Sequence, residues 1–523
     1  MNRLFLYSGF LFILILIFDA YDRDYNQPQV SSTNNVENNI SSDSKQPPQT
    51  DSIKPNSPDT SSPISKNIDV LESNKLIIEF DINTGELLYS ELKDYSVDLG
   101  SDEQIIILDY PNKKYSATSN IQLLDTNLYP TYNKKSASGK NSVVLESTNI
   151  NGVNLIKEIT LLNDTHQVTV TNTIKNNSDK IIEVRNYETI SRDGNNAASI
   201  MLPTYTGSAY YDEENKFSKI SFDDIKDNDL AVKTQNSWIS MIEHYFFSAW
   251  LPTTASKKTI YTGYDQNIYT IGSSTDYSQI SPGQSLTYTS LMFVGPKLQS
   301  EISSLTEGLD LTVDYGVLTF LSAPLFWILE SINILFNNWG ISIIILTILI
   351  KAVFFKLSET SYRSMAQMKK LNPRMQALKE RYSEDKKKFS EALMRMYKEE
   401  KVNPLGGCLP ILIQIPVFIA LYWVLVESIE IRHAPFVGWI SDLSSADPLF
   451  ILPIAMGISM YVQQKLNPAP TDPTQQKIFL FLPFIFTALF ATFPSGLVLY
   501  WLTNNILSIC LLYTSPSPRD EST

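Results

Sequence analysis

Lys351 sits inside the apolar run GISIIILTILIKAVFFKL, residues 340–357, with Thr347 four residues earlier on the same helical face. Uncharged polar residues interrupt two further apolar runs: Gln414 within LPILIQIPVFIALYW, and Thr503, Asn504 and Asn505 within LVLYWLTNNILSI. A central lysine costs bilayer insertion about 2.5–3.5 kcal/mol. The twelve Ile, Leu, Val and Phe residues of 340–357 return roughly 0.3–0.6 kcal/mol each, so the segment inserts despite its charge. For that helix alone two readings stand. Either the side chain snorkels to the cytoplasmic interface, about 7–8 Å away, or it faces a wet cavity inside a bundle. Each amide alone reads as helix–helix glue, yet a lysine plus polar groups on two other runs suggests a shared hydrophilic pocket. No run carries an Asp or Glu as counter-ion. That argues against a proton relay or cation pathway and leaves a positively charged, otherwise neutral groove.

Enzyme chemistry finds little support elsewhere. The chain has three histidines, His166, His244 and His433, without metal-ligand spacing, and its many carboxylates single out no acid–base pair. No P-loop is present. The expectation is a protein that is not an enzyme and uses no metal or cofactor.

The elements that must position Lys351 follow from hydropathy and charge. Apolar runs occupy roughly 4–18, 339–357, 409–426, 448–464, 478–493 and 495 onward of 523 residues, and several approach the ~17–25 residues of a membrane span. Residues 19–314 hold 23 Lys+Arg against 40 Asp+Glu, whereas 356–401 holds thirteen basic and seven acidic residues. By the bias of Lys and Arg toward the cytoplasmic side, 356–401 lies inside and the acidic loop 427–447 outside. Arg3 keeps the N-terminus cytoplasmic and places 19–338 in the periplasm. The reading is a six-span protein: an uncleaved anchor over 1–20, a tether over 21–70, a β-domain over 71–314, an interfacial amphipathic helix over 315–337, a second span over 338–358, a cytoplasmic hairpin over 359–403 and four more spans over 404–509. The anchor reading rests on DAYDRDYN, which follows the first run and offers no small-x-small cleavage site. Both cysteines, Cys408 and Cys510, lie outside the exported part, which must fold without disulfides.

The tether is rich in Asn, Ser, Pro and Gln and reads as disordered. Beyond it, KLIIEFDI, QVTVTNTI and SLTYTSLMFVG alternate with period two, and Thr84-Gly85, Asn151-Gly152 and Pro282-Gly283 supply turns. This predicts an all-β sandwich, with SEISSLTEGL (300–309) as a helix leading back to the membrane. In 359–403, Met365, Met368, Leu371, Met375, Leu378 and Tyr382 recur at spacings of three and four, as do Phe389, Leu393 and Met396. Two amphipathic helices folded as a hairpin fit this pattern, with Pro373 expected to kink the first. The methionines either zip the hairpin together or, with Lys386, Lys387 and Lys388, dock a partner. Residues 510–523, beginning CLLYTSPSPRD, are read as an adapter-derived sequence. The natural chain is then expected to depart near Ile509, and Cys510 carries no functional argument.

Three strings carry a resemblance: LDLTVDYGVLTFLSAPLF (309–326), KEEKVNPLGGCLPILIQIPVFIALYWVL (398–425) and TDPTQQKIFLFLPFIFTALFATFPSGLVLYWLTNN (471–505). They closely resemble the YidC/Oxa/Alb family of membrane insertases, in its Gram-negative form with a large periplasmic domain. The resemblance implies a five-helix insertase core and an all-β periplasmic supersandwich. It also implies a groove whose single basic residue attracts the hydrophilic exported part of a small membrane protein. Lys351 stands where the family usually has arginine, and Thr347, Tyr500 and Trp501 align with substrate-contacting positions. Gln414 and Asn504 are assigned to the groove wall. The expected partners are nascent membrane proteins, the Sec translocon, ribosomes or targeting factors at the hairpin, and the lipid bilayer of the bacterial inner membrane, with no direct nucleic-acid contact. The rival readings are a polytopic transporter, which calls for internal repeats and intramembrane carboxylates, and a membrane-anchored carbohydrate-binding protein.

Overall fold

The structure is a computed structural model that describes residues 67–124, 130–137, 139–147, 151–195, 204–254, 256–382, 385–400, 409–466 and 473–514. The expected anchor, all but the last residues of the tether, and residues 515–523 lie outside the described residues. The chain divides into two compact units that meet at Gly295 and Pro296.

The first unit consists of two antiparallel sheets. One runs, edge to edge, Ile68–Glu72, Leu76–Asp81, Leu87–Ser96, Ser116–Leu123, Ile182–Asp193, Ile268–Thr275, Lys257–Asp265 and Ala231–Gln235. The other runs Lys216–Ile220, Gly207–Asp212, Trp238–Ile242, Phe246–Leu251, Ser285–Pro296, Gln167–Asn176, Val153–Leu161, Ser142–Ser147 and Tyr132–Ala137. The predicted alternation decides which face of each strand is covered. Along Val153–Leu161 every second residue is buried, so Val153, Leu155, Lys157, Ile159 and Leu161 share one inward face. Along Gln167–Asn176 the inward set is Val168, Val170, Asn172, Ile174 and Asn176. The Asn151-Gly152 turn is formed as expected: both residues have positive φ, 52° and 85°, as a tight turn matched to strand twist requires. The strands begin at Ile68, and this unit closes at Gly295 rather than near 314. SEISSLTEGL is helical only over Gln299–Ile302, and Gly308, at φ +75°, lies just before the 3-10 turn Leu309–Thr312.

The second unit is helical. Its helices are α1 (Thr319–Phe336), α2 (Trp339–Val353), α3 (Phe355–Arg381), α4 (Lys386–Glu399), α5 (Leu409–Glu427), α6 (Ile451–Leu466), α7 (Pro473–Phe490) and α8 (Ser495–Thr514). By length and composition the segments Gly316–Phe336 and Ser495–Leu512 suffice to cross a membrane. So does the bent pair Trp339–Val353 with Phe355–Ser361. That pair differs from the unbroken second span expected over 338–358. The chain turns by 65° at Phe354, a change of direction that hydropathy cannot register. Lys351 therefore lies in the last turn of α2, where unpaired helix carbonyls favour a cation. In the core of this unit α8 packs on α6 and α2, and α1 packs on α2 and α5.

α3 and α4 pack through Leu371, Met375 and Met396, flanked by Met368, Leu378, Leu393 and Tyr397. The three-and-four spacing thus places Met368 and Met375 in the seam between the helices. α3 runs through Pro373. Asp385 starts α4 by accepting the backbone N–H groups of Lys387 (3.1 Å) and Lys388 (3.0 Å). Lys387 and Lys388 are exposed; the side chains of Met365 and Lys386 lie outside the described residues.

Candidate functional site

Three helices bring the intramembrane polar residues together. The Lys351 ammonium, from α2, donates to Ser508 Oγ on α8 at 3.0 Å and to Gln414 Oε1 on α5 at 3.3 Å. The Gln414 amide is oriented by its other contacts: Nε2 donates to Asn504 Oδ1 and, at 3.5 Å, to the Tyr500 hydroxyl. With the amide nitrogen turned toward α8, the carbonyl oxygen is left for the cation. Tyr500, Asn504 and Ser508 are spaced four residues apart and so line one face of α8. Among the described residues no carboxylate lies within ion-pair distance of Lys351. Among those residues its ammonium is held by two neutral oxygens.

A cavity of about 20 Å³ opens beside this cluster, lined by Ile350, Lys351, Phe354, Leu357, Ser358, Gln414 and Val417. That is room for about one water molecule. The bend at Phe354 creates the cavity wall by carrying Leu357 and Ser358 away from the axis of α2.

The other predicted residues divide by what their side chains touch. Thr347 is buried on the Lys351 face, but its hydroxyl donates to the Ile343 carbonyl at 2.6 Å, the back-bond expected of a threonine inside an apolar helix. Trp501 points away from the polar cluster. Its ring meets Phe418 edge-on at 4.6 Å and lies 5.2 Å from Phe490. The α8 face thus changes from an aromatic wall at Trp501 to a polar ladder at Tyr500, Asn504 and Ser508. Asn505 turns to α6, where it donates to Ser459 Oγ at 3.0 Å. Adjacent asparagines therefore serve different purposes, Asn504 in the cluster and Asn505 between helices.

Sequence reasoning missed Ser508 and Ser358. Ser508 carried a usable signal, because it continues the four-residue spacing from Tyr500 and Asn504.

A second polar cluster also went unforeseen. Lys297 and Glu427 are both almost fully buried, 3.9 Å apart. Beside them Glu430 Oε1 accepts from the Gln299 backbone at 3.1 Å, Gln299 donates to the Tyr315 hydroxyl, and Tyr315 bonds Ser428 at 3.3 Å. Burial pushes the Glu430 carboxyl up to about 7. The acidic loop expected over 427–447 therefore begins inside the protein, tied to the segment that follows the strands.

Comparison with known proteins adds the following. Residues 331–516 match the family described as 60Kd inner membrane protein, and residues 70–328 match the YidC periplasmic domain. The membrane protein insertase YidC of Methylobacillus flagellatus is 42% identical over 528 residues, covering 97% of this chain and 95% of the relative. That of Thioalkalivibrio sulfidiphilus is 42% identical over 543 residues, covering 96% of each. A crystal structure of an active YidC insertase with its first transmembrane domain resolved aligns with a TM-score of 0.40 at 18% identity, over 86% of this chain and 93% of that one.

Proposed function

The chain belongs to the YidC family of membrane protein insertases, which are not enzymes, and from that premise we propose that Lys351 is the charge that receives a client's polar tail. The observation that carries this reading is the absence, among the described residues, of any carboxylate beside an ammonium that three helices hold between Ser508 and Gln414. Hydrogen bonds to neutral oxygens fix the position of a cation without neutralising it. An arriving carboxylate gives that ammonium an ionised acceptor, and a hydrogen bond between two charged groups is shorter and stronger than one to a neutral oxygen.

Moving a short polar tail through ~30 Å of hydrocarbon is costly because its backbone groups lose water. A fixed positive charge partway across, with polar groups around it, raises the local concentration of acidic tails and offsets part of that desolvation. The client's own apolar segment supplies the driving force as it enters lipid. Trp501, Phe418 and Phe490 form the surface along which that segment slides, while Tyr500, Gln414, Asn504 and Thr347 line the polar side. The cavity of about 20 Å³ is the resting state, which an entering tail widens by parting α2 from α5 and α8.

The remaining assignments go with this reading. The chain crosses the inner membrane six times, with the N-terminus and the α3–α4 hairpin cytoplasmic and the β-unit periplasmic. The helix α1 lies along the outer interface, supported by an outward apolar face on which Phe320, Trp327, Ile334 and Leu335 are each at least 67% exposed. The hairpin's basic outer face, including Lys387 and Lys388, receives ribosomes or targeting factors. The protein works alone or beside the Sec translocon.

Site-specific photo-crosslinking tests the route. A probe replacing Tyr500 or Gln414 is expected to capture the hydrophilic tail of a single-span client during insertion, and one replacing Trp501 to capture its apolar segment. Equal capture of the tail from Leu335, on the outward face of α1, would contradict the assigned route.

A further inference from the structure

The geometry around Lys351 singles out one further residue of the α8 face. Ser508 is buried on the third step of the α8 ladder, with its hydroxyl between two groups. It donates its single proton to the Asn504 carbonyl at 2.7 Å and faces the Lys351 ammonium at 3.0 Å. A hydroxyl has one proton and two lone pairs. With the proton committed to the helix backbone, the oxygen can act toward Lys351 only as an acceptor. The same carbonyl bond restricts rotation about the serine side chain, so the lone pairs stay directed at α2.

Gln414 is held the same way by different means. Its amide nitrogen is committed to α8, leaving only an acceptor for the cation. Lysine is a flexible point charge on a four-carbon stem, without the planar fork of an arginine. It needs external groups to fix where its charge rests. Two acceptors from two helices, each with its donor committed elsewhere, supply that fixation. Among the described residues the third N–H of the ammonium meets no acceptor, and the cavity wall formed by Phe354, Leu357 and Ser358 lies beside it.

From this arrangement we infer that Ser508 is a positioning residue for insertion, setting the depth and direction of the Lys351 charge while leaving one of its N–H groups for the client's carboxylate. The inference rests on the reading of Lys351 as the receiving charge. Ser508 acts through Lys351 and touches no client. In the resting protein it also prevents the lysine from extending toward the cytoplasmic interface, where the charge would be spent on water.

The test is a double-mutant cycle in the full chain reconstituted into liposomes, scored by insertion of a single-span client with a short acidic tail. Ser508→Ala removes the acceptor and is expected to lower insertion about tenfold, the size of one hydrogen bond to a charged group. Ser508→Thr keeps the hydroxyl and its back-bond to the carbonyl four residues earlier, and is expected to retain most insertion. In a chain already carrying Lys351→Leu, Ser508→Ala is expected to cause no further loss. A merely structural serine would add its loss in both backgrounds, and that result overturns the inference. Native insertion by Ser508→Ala alongside a defective Lys351→Leu also overturns it, leaving the receiving charge in place. Native insertion by Lys351→Leu overturns both the inference and the reading on which it rests.

Discussion

Two lysine sites of this molecule, Lys258 in the β-unit and Lys351 in the helical unit, are satisfied in different ways. In the β-unit Lys258 meets Glu188 at 2.7 Å, and Ser273 (2.7 Å) and Ser290 (2.6 Å) donate to the same carboxylate. Nearby Lys157, fully buried on an inward strand position, donates to the Ser119 carbonyl at 2.7 Å and rests 5.0 Å over the Tyr132 ring. A Cβ on Gly85 would stand 2.5 Å from its side chain, so the surrounding backbone is fitted around it. These lysines are finished structures. Lys351 in the helical unit is half-buried, bordered by a cavity, and held by neutral oxygens. On the proposed function, the difference separates a cation that supports a fold from one kept available to a client. Partner identity separates Lys351 from Lys258, and the bordering cavity separates it from the fully enclosed Lys157.

The largest expected effect tests the β-unit side of the comparison. Glu188→Ala strands the Lys258 ammonium in a site with 10% or less side-chain exposure for either residue. Breaking such a pair from one side costs about 3–5 kcal/mol. Urea unfolding of the full chain, followed by the fluorescence of the buried Trp238 and Trp250, reads that loss. A cost below about 1 kcal/mol would mean the pair behaves like a surface contact, and the contrast with Lys351 would fail.

A smaller effect is expected where packing holds without buried charge. Met396→Ala opens the α3–α4 seam and costs about 2–3 kcal/mol of local stability, visible as faster hydrogen exchange across α3 and α4. If exchange is unchanged, the seam is not what holds the hairpin, and its methionines are free for a partner.

A third test reads a pair of pH slopes of opposite sign rather than a single loss. Burial lowers Lys157 to about 7 from the ordinary 10.5, against the weaker pull of Glu86. The unfolded chain then binds more protons between those values, so this contribution to β-unit stability is lost as pH falls through about 7 and grows as pH rises toward 10.5. Lys157→Met is expected to flatten that slope. Glu430, raised from 4.5 to about 7 with Glu330 adding to the rise, acts the other way. Its contribution is full below pH 4.5 and is lost as pH rises through about 7. Glu430→Gln should remove the slope from the helical unit. Slopes of the same sign in both units would show that the two buried sites are not distinguished as described.

Much of this architecture was legible in the sequence because the relevant signals are periodic. Alternation in QVTVTNTI placed Val168, Val170 and Ile174 inward, and the spacing of Leu371, Met375 and Met396 marked the hairpin seam. The polar partners of Lys351 were legible only as a set of types, Gln414 and Asn504 among them, because hydropathy registers composition and not direction. It could not foresee the bend at Phe354, which shortens the second apolar helix and puts Lys351 in its last turn. Ser508 was overlooked because a serine in an apolar helix ordinarily bonds its own backbone, which this one also does. The order of the strands and the Lys297–Glu427 contact were out of reach for a different reason: they join residues far apart in sequence with no local pattern to betray them.

The central claim is that Lys351 works as an unspent charge. The most direct measurement compares the native chain with Lys351→Leu and Lys351→Arg, reconstituted in liposomes and inserting a client with a short acidic tail. Loss of about tenfold or more with leucine, equivalent to roughly 1.4 kcal/mol of barrier, together with insertion retained by arginine, is the predicted result. Native insertion by the leucine variant would contradict the account, leaving Lys351 an anchor at the membrane surface.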